Sequence, residues 1–244
     1  DKDRESFLAK MQENWDIAGF LQAQPWPARI EVSDQEIPFN FGDFYGIDVF
    51  GGFQASLPVN LIRIDINNQR VRRMFGINYS LRRDPPGPNS KEVFQGTSGL
   101  KVYWNPDAFP RVWTVHEAVR IHEEPEIGAI IRDEAFDLGR KTFLFEETPR
   151  LENCEAPDFA RLVRRTNNSL AIDAAMKCAG MVVISDSWFP GWRATVDGKP
   201  AKIYEAYASI RGVVVPKGQH RIEMNYRPLS VYLGGVMTIC GLLL

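Results

Sequence analysis

The sequence predicts an α+β protein: a mixed α/β part at the N-terminus, then an antiparallel β-sandwich, then the start of a transmembrane helix. Three observations carry this expectation. Apolar residues at helical spacing dominate the opening of the chain. From Glu92 onward the sequence turns into short β-branched and aromatic runs bounded by turn formers. And the chain closes on VYLGGVMTICGLLL, Val231–Leu244, which has no charged residue. The expected segments are therefore 1–150, 158–228 and 231–244.

The elements follow in order. Phe7, Leu8, Met11, Trp15, Ala18 and Leu21 recur with a helix period, so 5–23 reads as one amphipathic helix. QPWP ends it and ARIEV reads as a short strand. Residues 39–56, rich in Gly and Phe without a clean period, read as a loop that buries its aromatics. A helix is expected after Pro58, a strand at INYSLRR, and a loop at RRDPPGPNS. EVFQG, LKVYWN, RVWTVHEAVRIHE and KTFLFEE read as strands. EPEIGAIIRDEAF reads as a helix with Ile127, Ile130, Ile131 and Phe136 on one side. TPRLENCEAPD, with two prolines, is the expected linker.

Beyond it, FARLVRRT, LAIDAAM, MVVISD, RATV, AKIYEA, IRGVVV and HRIEMNY read as successive strands. Asp197-Gly198 predicts a hairpin, because a type I′ turn needs positive φ at both central residues. In HRIEMNY, Ile222, Met224 and Tyr226 face one way and Arg221, Glu223 and Asn225 the other, the alternation of a sheet with one wet face. In GWRATV the same alternation puts Trp192 with Ala194 and Val196, so Trp192 is expected to be buried between two sheets.

At 44% hydrophobic and 25% charged residues the chain is ordinary globular protein. Lys and Arg number 29 against 31 Asp and Glu, which leaves no basic excess for neutralising phosphates, so no nucleic-acid partner is expected. The arginines at 70, 72, 73, 82 and 83 read as a solvated face. Cys154, Cys178 and Cys240 form no CxxC pair and no zinc spacing, so neither a metal nor another cofactor is expected. Cys154 and Cys178 can pair outside the cytoplasm; two buried thiols fit the sequence as well. The final apolar run is shorter than the ~20 residues needed to span a bilayer. Its position after a complete strand pattern, and its three glycines, nonetheless point to a membrane helix.

Catalytic motifs are not found. HEAVRIHEE departs from HExxH because Arg120 stands four residues after His116, and on a strand His116 and His122 would lie too far apart for one metal. No GxSxG and no phosphate-binding glycine loop occurs. The aromatic corner Trp188-Phe189 is the candidate binding site, by the tendency of such rings to stack on sugars, and the stretch in that reading is a carbohydrate-binding module. A purely structural or interaction domain is the plainer alternative.

The stretch from Ser185 to Pro228 followed by an apolar segment resembles the C-terminal extracytoplasmic region of YfhO-type bacterial membrane proteins. The matching residues are Pro190-Gly191-Trp192, Asp197-Gly198, Arg211-Gly212, Pro216, Gly218-Gln219-His220, Tyr226 and Pro228. Upstream, Gly99–Tyr103, Asn105 and Pro110-Arg111 are similar to a second segment of the family, and FLQAQPWPARIEV to its opening. The resemblance implies a polytopic membrane protein of the cell envelope, similar to glycosyltransferases that draw sugars from polyprenyl-phosphate carriers. It implies that the catalytic acid lies between early membrane helices, outside this chain. This piece would then be a non-catalytic extracytoplasmic accessory domain whose partners are the membrane and a glycan or lipid-linked sugar. Trp188-Phe189 stand where the family has tyrosines, a departure confined to the corner.

Overall fold

The computed structural model describes residues 2–33, 35–38, 40–51, 57–154 and 157–243. It is mixed α/β with several antiparallel sheets. The chain forms two compact units, one of residues 1–57 and 67–109, the other of 58–66 and 110–244.

In the first unit the expected single N-terminal helix is two, α1 (Lys2–Gln12) and α2 (Trp15–Gln22). The break falls at Asn14, whose side-chain amide turns back to donate to the Lys10 carbonyl at 3.0 Å. This reorients α2, so Trp15 is exposed while Ile17, Ala18 and Leu21 enter the core. β1 (Ile30–Val32) follows, then α3 (Phe41–Tyr45) and β2 (Val49–Phe50), where a loop was expected. Residues 39 and 52–56 of that segment lie outside the described residues.

The helix expected after Pro58 is likewise two short ones, α4 (Val59–Arg63) in the second unit and α5 (Gln69–Met74) in the first. Asp65, with φ of 52°, ends the former; the Asn68 side chain caps the latter by accepting from Arg70 N. Then come β3 (Tyr79–Arg82), β4 (Lys91–Gln95) and β5 (Lys101–Trp104), all at expected positions. The five strands make one sheet in the order β2-β1-β3-β5-β4, with β1 parallel to both neighbours. Met11, Ile17, Leu21, Ile30, Leu81 and Val102 are central to the core of helices and sheet.

In the second unit RVWTVHEAVRIHE is not one strand but two. β6 (Val112–Val115) joins one sheet and β7 (Glu117–Arg120) another, the chain switching partner at His116. α6 (Glu124–Arg132) is fixed by a capping box in which Glu126 accepts from the Glu123 and His122 amides at 2.8 and 2.7 Å. β8 (Lys141–Leu144) pairs in parallel with β7. Then follow β9 (Phe159–Arg165), β10 (Ser169–Met176), β11 (Gly180–Ser187), β12 (Trp192–Val196), β13 (Lys199–Ala201), β14 (Ile203–Ala206), β15 (Ile210–Val215) and β16 (Gly218–Tyr226).

They build two antiparallel sheets, β13-β12-β16-β10-β9 and β14-β15-β11-β6. Alternate residues of both sheets share one apolar cluster: Leu170, Ile172, Ala174 and Met176 of β10, Ile222 and Met224 of β16, Val182 and Ile184 of β11, Val213 and Val215 of β15. The opposite face of β11 and β15 is also covered. Phe143 and Tyr207 meet there edge to face, with centroids 5.6 Å apart. That double cover explains why β11 is buried along nearly its whole length.

The chain ends in α7 (Leu229–Leu243), a 15-residue helix without a charged residue. Among the described residues no helix is long and apolar enough to cross a membrane. The segment expected at 231–244 as the start of a transmembrane helix is, over its described residues, an apolar helix of less than spanning length.

Candidate functional site

The corner at Trp188–Gly191 is held from behind. Trp188 N donates to Ser209 O at 2.7 Å, and buried Asn60 of α4 donates to Trp188 O and Ser209 O at 2.8 and 3.1 Å. Gly191 has φ of 102°, and a Cβ there would stand 3.0 Å from the Tyr226 ring and 3.1 Å from Pro228 Cα. Glycine is required at this position on both counts. Its carbonyl accepts from Arg227 N at 2.7 Å. The corner and the last residues before α7 are therefore one packed junction.

Phe189 is 49% exposed and Trp188 half-buried, so both can be reached from solvent. Trp192, expected inside the core, is only half-buried and packs at its margin. The alternation was read correctly, since Trp192 does share its face with Ala194 and pairs across to Tyr226. But it is the first residue of β12, where the sheet ends. One side of its ring meets Tyr226 at 5.5 Å between centroids, and the Arg211 guanidinium lies 3.9 Å from its centre. A recess of about 300 Å³ opens at this corner between Trp188, Phe189, Trp192, Pro200 and Ile203.

Arg211 leads inward to a charge network. Buried Asp186 accepts from Arg111 Nη2 at 2.7 Å and is approached by Arg165 Nε at 3.4 Å and Arg211 Nη2 at 3.5 Å. Arg111 Nε also donates to Ser185 Oγ at 2.9 Å, and Arg211 Nε to Ser187 O at 3.1 Å. Burial of charge is tolerable only with such pairing. Two residues on which the family resemblance rests, Arg111 and Arg211, thus meet at Asp186, and Arg211 carries the network to a third, Trp192. Sequence reading missed Asp186 because its partner Arg111 lies 75 residues away; the adjacent SDS was the one local sign.

A second cluster gathers at His116. Its Nδ1 lies 2.9 Å from Glu152 O, and its Nε2 2.7 Å from a carboxylate oxygen of Asp158. The sulfurs of Cys154 and Cys178 are beside the ring, and the three ligand atoms fall within 4.8 Å of one another. The two sulfurs are bonded to each other as a disulfide, so no thiolate is present to ligate. The ring fits because residue 180 is glycine: a Cβ would come 2.6 Å from His116 Cε1. The stretch expected as a linker is pinned here, by the disulfide and by Glu152, whose amide and carboxylate both bond Ala179. His122 is not brought to this cluster; its amide serves the cap of α6.

The arginine-rich segment of the first unit borders a polar groove of about 280 Å³. Arg72 pairs with Glu31, Arg73 with Asp107 at 3.2 Å and Arg83 with Glu36 at 3.4 Å. These pairs neutralise the segment locally.

The comparison with known families bears on the second unit. Residues 161–238 match the family model described as bacterial membrane protein YfhO. The match covers β9 to β16 and enters α7, and it agrees with the family that the sequence resembles. No curated protein and no solved structure matches the chain.

Proposed function

We propose that this chain is a membrane-attached extracytoplasmic accessory domain, a β-sandwich with an N-terminal α/β part, in a protein that hands sugars from polyprenyl-phosphate carriers to a glycan. One observation carries the reading. The longest described strand, β16, passes through Arg227 and Pro228 straight into α7, whose large apolar side chains face solvent, among them Leu229 at 64% and Leu242 at 82% exposed. Such a surface is stable only when lipid or protein covers it. Within α7, Thr238 turns its hydroxyl back onto Gly234 O at 2.9 Å, which satisfies the group without water. The match to a bacterial membrane protein family supports the same attachment. The Cys154–Cys178 bond supports an oxidising compartment, hence the outer face.

In this reading the domain supplies no reacting group; it holds or shields the acceptor while the chemistry proceeds among membrane helices elsewhere. Antibody against the chain should find it in membranes of the source bacterium, resistant to carbonate washing. Protease given access to the outer face of the membrane should digest it. A soluble or protease-protected chain overturns the reading. Membranes in which Asp186→Ala unfolds the domain should lose sugar transfer; unchanged transfer would remove the accessory role.

A further inference from the structure

We infer that the corner formed by Trp188, Phe189 and Trp192 is a lipid contact, seated in the headgroup layer of the bilayer that receives α7. The inference rests on the membrane attachment proposed above and adds where the domain touches the surface and with which residues.

The geometry fixes depth first. Gly191 is hydrogen-bonded to Arg227 and packed against Pro228, one residue before α7 begins at Leu229. Whatever plane the first turn of α7 occupies, the corner lies beside it. Over 15 residues α7 extends about 22 Å, so its start is the end nearest the domain and the interface must fall there.

Composition agrees. Tryptophan and tyrosine collect at membrane–water boundaries because each has an apolar ring and a polar edge. Trp188, Trp192, Tyr226 and, in the first turn of α7, Tyr232 supply four such rings on the segments that meet at or leave this junction, and Phe189 adds a fifth, exposed, apolar ring. Exposed Arg193 and Arg227 flank it, and cationic side chains at this level attract anionic lipid phosphates.

The recess itself argues against a sugar. A sugar site pairs a free aromatic face with carboxylates or amides that hold hydroxyl groups. The Trp192 ring is instead faced by Arg211 and Tyr226. The described lining contains no Asp, Glu, Asn or Gln; besides the aromatics it is Pro190, Gly191, Ala194, Pro200, Ala201 and Ile203, with Arg193 as its one charge. Apolar walls with a single cation suit the glycerol and upper acyl region of an anionic phospholipid.

The test uses the full chain in vesicles of phosphatidylglycerol and phosphatidylcholine. Cys240 is the free cysteine, so an environment-sensitive dye attached there reports α7 alone. Phospholipids brominated at shallow or deep acyl positions quench tryptophan, and the difference between the native chain and Trp188→Phe isolates Trp188. The expected result is a Cys240 dye in an apolar setting together with Trp188 emission quenched more by the shallow label than the deep one. A buried dye with unquenched Trp188 overturns this inference and leaves the attachment standing. A dye that stays in water overturns both. Trp188 emission that ignores brominated lipid yet shifts on adding a polyprenyl-phosphate sugar assigns the corner to sugar instead.

Discussion

Asp186 is the centre of the buried charge network of the second unit. Its carboxylate is ion-paired with three guanidinium groups, two of them buried. Removing one partner of a buried ion pair costs about 3–5 kcal/mol, since the remaining charges cannot regain water. Asp186→Ala should therefore lower the unfolding free energy by that order, read by thermal melting in mild detergent. Trp192→Ala should cost less. Full truncation of a buried tryptophan costs roughly 3–5 kcal/mol, and Trp192 is only half-buried, so the lower end of that range is its ceiling. A Trp192→Ala loss larger than that of Asp186→Ala would contradict this ranking.

His220 supplies a pH signal. Its hydrogen bond to the Asp197 carboxylate, at 2.7 Å, lifts its pKa above the ordinary 6.5. The contribution to stability is complete below 6.5 and disappears as pH climbs through the raised folded value. The Asp197 carboxyl is held below its ordinary 3.8, first by the Arg221 amide and then by His220. Its share is present above 3.8 and fades as pH drops through the lower folded value. The hairpin turn is thus firmest between the two, and the His220 ring should titrate above 6.5 by NMR. A midpoint at or below 6.5 would refute the pairing.

Among elements, the β12–β13 turn was legible, because Asp197 and Gly198 adopt φ of 51° and 76° as an Asp-Gly turn requires, but the single strand expected at AKIYEA is divided, with β13 ending at Ala201 and β14 starting at Ile203 in another sheet. The β14–β15 turn was not. Tyr207 and Ala208 also take positive φ, 53° and 52°, though neither residue advertises it. Burial decides there: Tyr207 is enclosed, donates its hydroxyl to Leu138 O at 2.5 Å, and its phenol is pushed far above its usual pKa by desolvation. Tyr207→Phe should strand the Leu138 carbonyl and destabilise by about 1–3 kcal/mol. Similarly, period-two alternation found the strand after Arg111 but not its division between two sheets, because sheet membership is a long-range property. The aromatic corner was legible from four adjacent residues; the charge network behind it and the His116 cluster were assembled from residues tens of positions apart.

The disulfide ties the segment that leads into β9 to the turn that leaves its partner strand β10. Cys154 precedes β9, and Cys178 stands in the turn between β10 and β11, 24 residues on. Closing a loop of that length stabilises by about 3 kcal/mol in the chain-entropy account. Reduction should lower the melting temperature of the second unit by the corresponding amount. A double Cys154→Ser/Cys178→Ser chain should match the reduced protein and no longer respond to reductant.

At the scale of the whole molecule, the sheets and the last helix differ in what they bury. Every described sheet buries an apolar core, whereas α7 buries none. A chain ended at Pro228 should stay monodisperse without detergent and melt as the full chain does. The full chain should need lipid or detergent. Equal solubility of the two would show that α7 is covered by protein instead.

The placement of β16 has a mechanical corollary. It is flanked on one side by β10 and on the other by β12, paired with both in antiparallel register, and it is the strand that continues into α7. Tension drawn through that helix would run along the strand axis and load both ladders in shear at once. Rows of hydrogen bonds sheared together fail at much higher force than bonds unzipped one after another. A sideways pull on α7 would spread across the sheet rather than peel it open.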